Sequence, residues 1–329
     1  MPSNALRGTG VPAVETHGQD AHATRHGRMH LLMLVTTFCW ASNIIAGKEA
    51  LRGFSPLALA QLRLGGAALT FGIVFLFWPR RARIHLSARE WLFLVWVALF
   101  GTTLNQLLFI GGLSRTSAAH TGLIVALGPV MVLALSCLMR LEALTALKFA
   151  GMAVSFFGVG VLTLGKAGQG SGATLAGDSI QLAGSAVFAY FTVLVKEIAD
   201  RYDTLTLNTL VFAMGALMMV PFSLRSILEV RWGAMPPVAW GGLAFMVFFG
   251  SVAAYSIYAF ALTELTAVRV AAFAYLQPAI ATALGIWLLG EILTVRVVLG
   301  GASILLGVYL TERERGEEPK GRRAANGVA

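Results

Sequence analysis

Long apolar stretches, separated by short polar loops, are the feature that most constrains what this chain can fold into. A helix needs about 20 mostly apolar residues to cross the hydrocarbon core of a bilayer. Ten such stretches can be drawn, near residues 30–51, 57–78, 91–111, 118–138, 145–165, 177–198, 205–224, 237–261, 267–289 and 294–311. Charged residues make up only 12% of the chain, against about 25% in a soluble domain. The sequence therefore predicts an all-α membrane protein with ten transmembrane helices embedded in the lipid bilayer.

The distribution of positive charge predicts the orientation of these helices. Most Lys and Arg residues fall in the tails and in the loops on one side, including the Arg-rich loop at 80–89. The positive-inside rule puts that side in the cytosol. Both termini are then cytosolic, with a disordered tail at residues 1–29 and a basic tail at 312–329. Since this topology accounts for the net charge of +9, nucleic acid is not expected as a partner.

The second half of the chain repeats the first at a displacement of 149 residues. The matches pair Trp91 with Trp240, Gly101 with Gly250, Pro129 with Pro278, Glu142 with Glu291 and Gly151 with Gly300. We expect two five-helix repeats, at 30–165 and 177–311, joined by a Gly-rich linker at 166–176. Because five is odd, the two copies are inverted in the membrane. Inverted repeats are a recurrent way to build an alternating-access transporter with its site near the midplane.

These residues also carry a resemblance to a known family. The motifs are Trp40 and Asn43 in the first span, Pro56 and Arg63 in the second, and, in each half, a proline followed thirteen residues later by glutamate and then Leu-Thr. Over about residues 30–311 the chain resembles the EamA-type branch of the drug/metabolite transporter superfamily. The resemblance implies ten helices in inverted repeats, a place in the bacterial cytoplasmic (inner) membrane, and export of amino acids or other metabolites. One departure, Arg140-Leu141 where the family usually has Leu-Gly, affects only a helix end.

Polar and aromatic side chains inside the spans are the candidate substrate-binding residues. Polar groups are costly in a bilayer, so each suggests a functional role. The candidates are Trp40, Asn43, Asn105, Gln106, His120, Tyr190, Tyr255, Tyr275 and Gln277. For each, the alternative is an interhelical hydrogen bond or an interfacial aromatic. Neighbouring helical residues point about 100° apart, so only one of Asn105 and Gln106 is expected to face a cavity. His120 could carry a proton or be an ordinary interfacial polar residue.

Three other kinds of residue have alternative interpretations. Pro129 and Pro278 lie in mid-span, where a proline removes a backbone hydrogen bond, and are candidates for gating helix breaks or for simple packing kinks. Arg63 could snorkel to the interface or attract an anionic group of the solute. Glu142 and Glu291 are expected to cap the next helix along the chain.

Glycines in the last span of each repeat predict a packing seam. Gly151 and Gly158, and again Gly300 and Gly307, are seven residues apart and share a helix face. Small residues at this spacing let helix backbones approach closely in lipid.

The sequence favours a carrier of a small-molecule solute over other classes. It contains no HExxH motif and no paired carboxylates within the spans, so a membrane-embedded enzyme, a metal site or a cofactor is not expected. Export of amino acids or related compounds is the first hypothesis, and multidrug or other small-solute efflux is the second. Efflux of drug-like cations is weakened because no Asp or Glu lies in the middle of a span to pair with a cation. The oligomeric state cannot be read from the sequence.

Overall fold

The computed structural model describes residues 16–78, 86–139, 143–163, 173–198, 201–265, 270 and 273–317. In these ranges the chain forms ten apolar helical segments and no strand. They are α1 (Thr16–Ala50), α2 (Pro56–Phe77), α3 (Ala88–Leu113), α4 (Ala118–Leu138), α5 (Ala146–Thr163), α6 (Leu175–Ile198), α7 (Thr204–Leu228), α8 (Pro237–Glu264), α9 (Phe273–Leu289) and α10 (Val295–Glu317).

Seven of these segments are long and apolar enough to cross a membrane, and α5, α9 and α10 contain shorter apolar helices. Large apolar side chains such as Phe77, Leu92, Leu217 and Trp287 are exposed on the outside of the bundle. A surface of this kind is stable only in contact with lipid. The predicted all-helical membrane fold is therefore confirmed, whereas the crossing of the bilayer by all ten segments stays a prediction.

Local signals at the helix starts explain why the connections are short. Ser55 accepts a hydrogen bond from the backbone of Ala58, and Pro56 stands in the first turn of α2. Ser87 and Glu90 form a capping box at α3, and Asp203 caps α7. Each cap satisfies backbone N–H groups that a helix start leaves without partners. The chain can therefore turn and re-enter the bundle within a few residues.

Two helices contain π-helical segments at equivalent positions in the two halves. Leu99–Leu104 interrupts α3, and Phe248–Ala253 interrupts α8. The two segments are separated by the same 149 residues that relate the sequence repeats. A π-helical turn widens the helix, and such turns are frequent at functional sites.

The predicted proline breaks exist, but they differ from a mid-helix kink. Helix α4 is interrupted at Ala126–Leu127, and Pro129 stands in the first turn of the part that resumes, Gly128–Leu138. Pro278 likewise stands in the first turn of Gln277–Leu289, after a 3-10 turn at Phe273–Leu276. Proline is tolerated in a first turn because no backbone donor is needed there.

The helix contacts follow a twofold pattern. Helices α2 and α7 pair, as do α4 and α9, and α5 and α10. The contact of α3 with α6 has its counterpart in that of α1 with α8. In the α5–α10 pair, a Cβ on Gly151 would lie 2.6 Å from the carbonyl oxygen of Gly307, and one on Gly158 would lie 2.7 Å from that of Gly300. The predicted glycine seam is therefore confirmed.

Both ends of the bundle are more helical than the sequence analysis expects. Helix α1 begins at Thr16, inside the tail predicted as disordered, and α10 continues to Glu317. Extending an existing helix requires no new nucleation, so polar residues can continue a membrane-anchored helix. Residues 1–15, residues 318–329, Glu142 and most of the predicted linker lie outside the described residues.

Candidate substrate cavity

One cavity lies between the two halves of the bundle, close to both π-helical segments. Its volume is about 80 Å³, room for about three water molecules at roughly 30 Å³ each. Its lining residues are Trp40, Asn43, Ile44, Arg63, Asn105, Gln106, Phe109, Val125, Gly128, Gln181, Gly184, Ser185, Phe188, Tyr255 and Gln277. Six of the nine candidate substrate-binding residues are among them, and so is Arg63.

The second π-helical segment holds two of these side chains in place. The carbonyl oxygen of Gly250 accepts hydrogen bonds from Trp40 Nε1 at 3.1 Å and from Arg63 Nη2 at 3.2 Å. Arg63 Nε donates to Ser251 Oγ at 2.9 Å, and the guanidinium lies 5.7 Å from the centre of the Phe109 ring. Arg63 is only 2% exposed. The snorkelling interpretation of Arg63 is therefore wrong.

Asn43 depends on the absence of a side chain at Gly250. A Cβ added at Gly250 would overlap the Asn43 amide oxygen. The close approach of α1 to the π-helical segment of α8 therefore requires glycine at position 250 and brings Asn43 to the cavity wall.

Asn105 and Gln106 both line the cavity, so the expectation that only one of them would face it is wrong. They follow the first π-helical segment directly, at the point where α3 returns to α-helical geometry. Asn105 Nδ2 lies 3.5 Å from the carbonyl oxygen of Gly184 on α6, and Gln106 Nε2 lies 3.4 Å from Asn105 Oδ1. The two amides therefore form one continuous polar strip.

Several buried polar atoms of the cavity wall make no hydrogen bond to any part of the chain that the structure describes. They are Asn43 Oδ1, Arg63 Nη1, Gln106 Oε1 and Gln181 Oε1. Buried polar groups in proteins nearly always have partners, and leaving one without a partner costs about 1–3 kcal/mol. One donor and three acceptors on the cavity wall thus have no partner within the described chain.

Aromatic rings form another part of the cavity wall. The Trp40 ring lies 5.7 Å from Phe188 and 5.8 Å from Tyr255, both edge-on, and 5.0 Å from Tyr258. Aromatic pairs in these arrangements are favourable and hold their rings rigidly. Thr192 and Tyr258 share a hydrogen bond of 2.7 Å behind this wall.

The sequence analysis missed one face of α6. Gln181, Ser185 and Phe188 follow one another at helical spacing and all line the cavity. The signal was present, since a polar residue and another four positions later share a helix face within an apolar span.

Three substrate-binding candidates and both prolines lie elsewhere. His120 Nδ1 is 2.9 Å from Asp178 Oδ2. Tyr190 OH accepts a hydrogen bond from Trp96 Nε1 at 3.1 Å near the bundle surface. Tyr275 packs against the apolar cluster shared by α4, α5, α6 and α10. Pro129 and Pro278 are buried but do not line the cavity.

A second polar group, here called the Lys48 cluster, joins the two halves at one end of the bundle. It consists of Lys48, Thr116, His120, Asp178 and Glu291. Lys48 donates to the carbonyl oxygen of Thr116, whose hydroxyl donates to Asp178. Asp178 also contacts His120. Glu291 accepts from the backbone of Ala118 at 2.6 Å and of Ala119 at 3.0 Å.

The contacts of Glu291 correct one expectation. Glu291 caps α4, in the other half of the chain, instead of the next helix α10. Thr294 already takes that role by accepting from the backbone of Val297 at 3.3 Å. Gly290, with a φ of 66°, turns the chain in the left-handed region at the end of α9, and the following Glu291 reaches α4.

An apolar layer separates the cavity from the Lys48 cluster. Ile44, Leu113, Ala118 and Ala281 are buried together there. This apolar layer touches both groups, since Ile44 lines the cavity and the backbone of Ala118 donates to Glu291. Within the described ranges, no three His, Cys, Asp or Glu side chains are grouped as metal ligands would be.

Comparison with known proteins identifies the family. A sequence model of the EamA-like transporter family matches residues 27–164 and, a second time, residues 175–313. The chain belongs to the EamA-like transporter family. The resemblance inferred from the motifs is thereby confirmed, and this EamA-like transporter is a multi-pass membrane protein.

Relatives of this EamA-like transporter carry consistent names. An uncharacterized transporter of Archaeoglobus fulgidus is 30% identical over 292 residues, which cover 87% of this chain and 98% of the relative. A probable terminal-alkyne amino-acid exporter of Streptantibioticus cattleyicolor is 24% identical over 281 residues, with 85% and 92% covered. A solved crystal structure, 17% identical, superposes with a TM-score of 0.61 over 87% of this chain and 98% of that chain, which supports the fold alone.

Proposed function

We propose that this EamA-like transporter exports small metabolites, most simply amino acids or related compounds, by alternating access through the cavity between its two halves. The observation that carries the proposal is the set of buried polar atoms on the cavity wall that no described residue satisfies. A cavity with convergent polar groups and an otherwise apolar, aromatic lining is typical of a small-molecule site. Its position between the halves, next to interrupted helices, is where transporters with inverted repeats bind their solutes.

The inverted five-helix arrangement is part of this proposal. Its support is the double family match, the twofold pattern of helix contacts and the recurrence of the π-helical segments. With ten crossings and cytosolic termini, the Lys48 cluster lies at the extracytoplasmic end of a cytoplasmic-membrane protein. Reporter tags inserted after Arg83 and after Gly172 should then report opposite sides of the membrane. Both tags on one side would contradict the inversion.

The Lys48 cluster and the apolar layer below it serve as the outer gate. The contacts of Asp178 with Thr116 and His120, and of Glu291 with α4, join the first half to the second. Contacts across the repeat interface must break when a carrier opens at that end. Pro129 and Pro278 each stand in the first turn after a helix break, and these breaks allow the helix halves to move separately.

The class of solute follows from the charge of the wall. Arg63 is the charged residue among the described residues that line the cavity, so a drug-like cation would be repelled there. The amino-acid export named for the Streptantibioticus cattleyicolor relative agrees with a wall that offers one cationic group and several amides. Amino acids and related anionic or zwitterionic compounds are therefore favoured over cations.

A counterflow assay in proteoliposomes tests the proposal. Vesicles loaded with unlabelled L-amino acids should accumulate external labelled amino acid transiently, with a rate that saturates. A channel would give no counterflow, and an enzyme would move nothing across the membrane. Absence of saturable exchange for every amino acid, with protein-free vesicles as the control, would overturn amino-acid export.

A further inference from the structure

Arg63 carries a buried positive charge that no carboxylate of the described chain pairs. The ion pairs among described residues join Arg52 to Glu49, His120 to Asp178 and Arg225 to Glu229, and none includes Arg63. The guanidinium is held instead by two neutral oxygens, of Gly250 and Ser251. An isolated charge is expensive to bury, and more so inside a membrane. The cavity is therefore incomplete until an anion enters it.

The geometry of the remaining donor suits a carboxylate. Arg63 Nη1 is buried and makes no hydrogen bond within the described part of the chain, and the Arg63 side chain faces the cavity. Nε and Nη2 are anchored to the π-helical segment of α8, so the direction of Nη1 is fixed before a solute arrives. Guanidinium groups fixed in this way bind carboxylates tightly and with a defined orientation.

The amide oxygens of the wall require hydrogen-bond donors from the solute. Asn43 Oδ1, Gln106 Oε1 and Gln181 Oε1 are acceptors without a donor in the described ranges. They belong to side chains on three different helices, α1, α3 and α6, that all line the cavity. An ammonium group supplies three N–H donors and no acceptor. Trp40 and Tyr255 also line the cavity, and aromatic rings attract cations.

We propose that Arg63 binds the carboxylate of a zwitterionic substrate, while the amide oxygens of Asn43, Gln106 and Gln181 bind its ammonium group. This inference rests on the proposed function and deepens it. The carrier selects solutes that have both charges on neighbouring carbons, and it rejects cationic amines and uncharged amides. The side chain of the solute then lies against Phe188 and the other rings of the wall.

A ligand series tests the charge requirement without any mutation. The thermal stability of the purified, detergent-solubilised protein is measured with each proteinogenic L-amino acid, its amide and its deaminated acid, for example L-valine, L-valinamide and 3-methylbutanoate. A ligand that binds only the folded protein raises its Tm. The intact amino acid should raise the Tm most, the deaminated acid less, and the amide not at all. An amide that stabilises as strongly as its amino acid would overturn the inference.

Variants of Arg63 test the assigned contact. R63K keeps the charge but loses the anchored fork, and should weaken amino-acid binding at least tenfold. R63M should abolish it, so that amino acid and amide alike leave the Tm unchanged. R225M, at an exposed arginine, is the matched control and should bind like the parent. If R63M does not fold, R63K and the ligand series still decide; unchanged binding in R63K would contradict the role of Arg63.

The inference and the proposed function fail in different ways. Saturable counterflow of some other solute, with no stabilisation by any amino acid, would overturn the zwitterion site and leave the carrier intact. Absence of counterflow for every solute would instead overturn the carrier.

Discussion

Each half of this protein contains a π-helical segment at the same place in the repeat, but one segment has polar side chains around it and the other has mainly apolar ones. At the first site, α1 and α2 of the first half pack against the π-helical segment of α8. There the Asn43 side chain contacts Gly250, and Arg63 donates a hydrogen bond to Ser251. At the second site, α6 and α7 of the second half pack against the π-helical segment of α3 in the first half. There a Cβ at Gly101 would overlap the ring of Phe191, and Thr102 donates to a backbone carbonyl of α7.

The consequence is an open polar site on one side and a filled apolar one on the other. At the repeat displacement of 149 residues, Phe212 stands where Arg63 stands in the first half. Phe212 is buried and lies 5.2 Å from Phe71 and 5.1 Å from Tyr255. The small pocket that Phe191, Val211 and Tyr255 line on this side measures only about 10 Å³, against about 80 Å³ for the cavity. The two copies of the backbone therefore carry different side chains, and in the proposed carrier a solute should bind in a single orientation.

The largest expected effect comes from replacing Arg63 with phenylalanine, the residue that stands at the equivalent position 212 of the second half. R63F should lower amino-acid counterflow at least a hundredfold, because the only charged group that lines the cavity among the described residues is replaced by a ring. F212L is the matched change in the other half. It should lower stability by about 1 kcal/mol and leave the exchange rate within twofold. Equal losses of exchange in the two variants, with both folded by size-exclusion chromatography, would break the comparison.

Gly250 and Gly101, the equivalent glycines of the two π-helical segments, provide a second test of the difference between the two sites. G250A and G101A both introduce a methyl group into a closed contact and should each cost about 1–3 kcal/mol of stability. Only G250A displaces the Asn43 amide and should also weaken amino-acid binding about tenfold or more. The Tm and the dissociation constant of each variant provide the measurement. A binding loss in G101A as large as in G250A would show that the polar site is not confined to one half.

The sequence predicts the helices and the duplication, but it does not predict that one π-helical segment borders a polar cavity and the other an apolar cluster. Apolar stretches predict the helices, and the recurrence of Pro129 as Pro278 indicates the duplication. Neither signal depends on how the helices pack. The sequence makes Trp40, Asn43 and Gln106 candidates because a polar group in lipid is costly wherever it points, and all three line the cavity. The direction of a side chain depends on the π-helical turns, which have no sequence signature. Hence the role of Gly250 and the pairing of Asn105 with Gln106 required the structure.

Long-range partners explain the remaining errors. His120 looked available for a solute because Asp178, which pairs with it, is distant in sequence. Glu291 looked like a cap for α10 because its true partner, the start of α4, lies in the other repeat. A sequence without structure favours the nearest partner along the chain, and interfaces between repeats are where that assumption fails.

The Lys48 cluster allows a third test, which asks whether the contact of Glu291 with the start of α4 holds the two halves together at the outer gate. E291Q weakens the hydrogen bonds to Ala118 and Ala119, and loss of a helix N-cap costs about 0.5–2 kcal/mol. The outer gate should therefore open more often, and a cysteine placed at Ile44 should react up to about tenfold faster with a membrane-impermeant thiol reagent. E229Q, at an exposed glutamate, is the control. Unchanged reactivity in E291Q would show that this contact does not hold the gate.

The smallest expected effect concerns the serine that anchors Arg63. S251A removes the oxygen that accepts from Arg63 Nε, and a hydrogen bond of this kind contributes about 1 kcal/mol, so amino-acid binding should weaken roughly fivefold. The equivalent change in the first π-helical segment, T102A, removes a hydroxyl that donates to the Ala98 carbonyl at 2.7 Å and lies 3.3 Å from the Val211 carbonyl of α7. Neither partner reaches the solute. T102A should lower the Tm and leave the dissociation constant unchanged. Because both variants lose one buried hydroxyl from the same place in the repeat, a difference in binding between them can come only from what that hydroxyl holds.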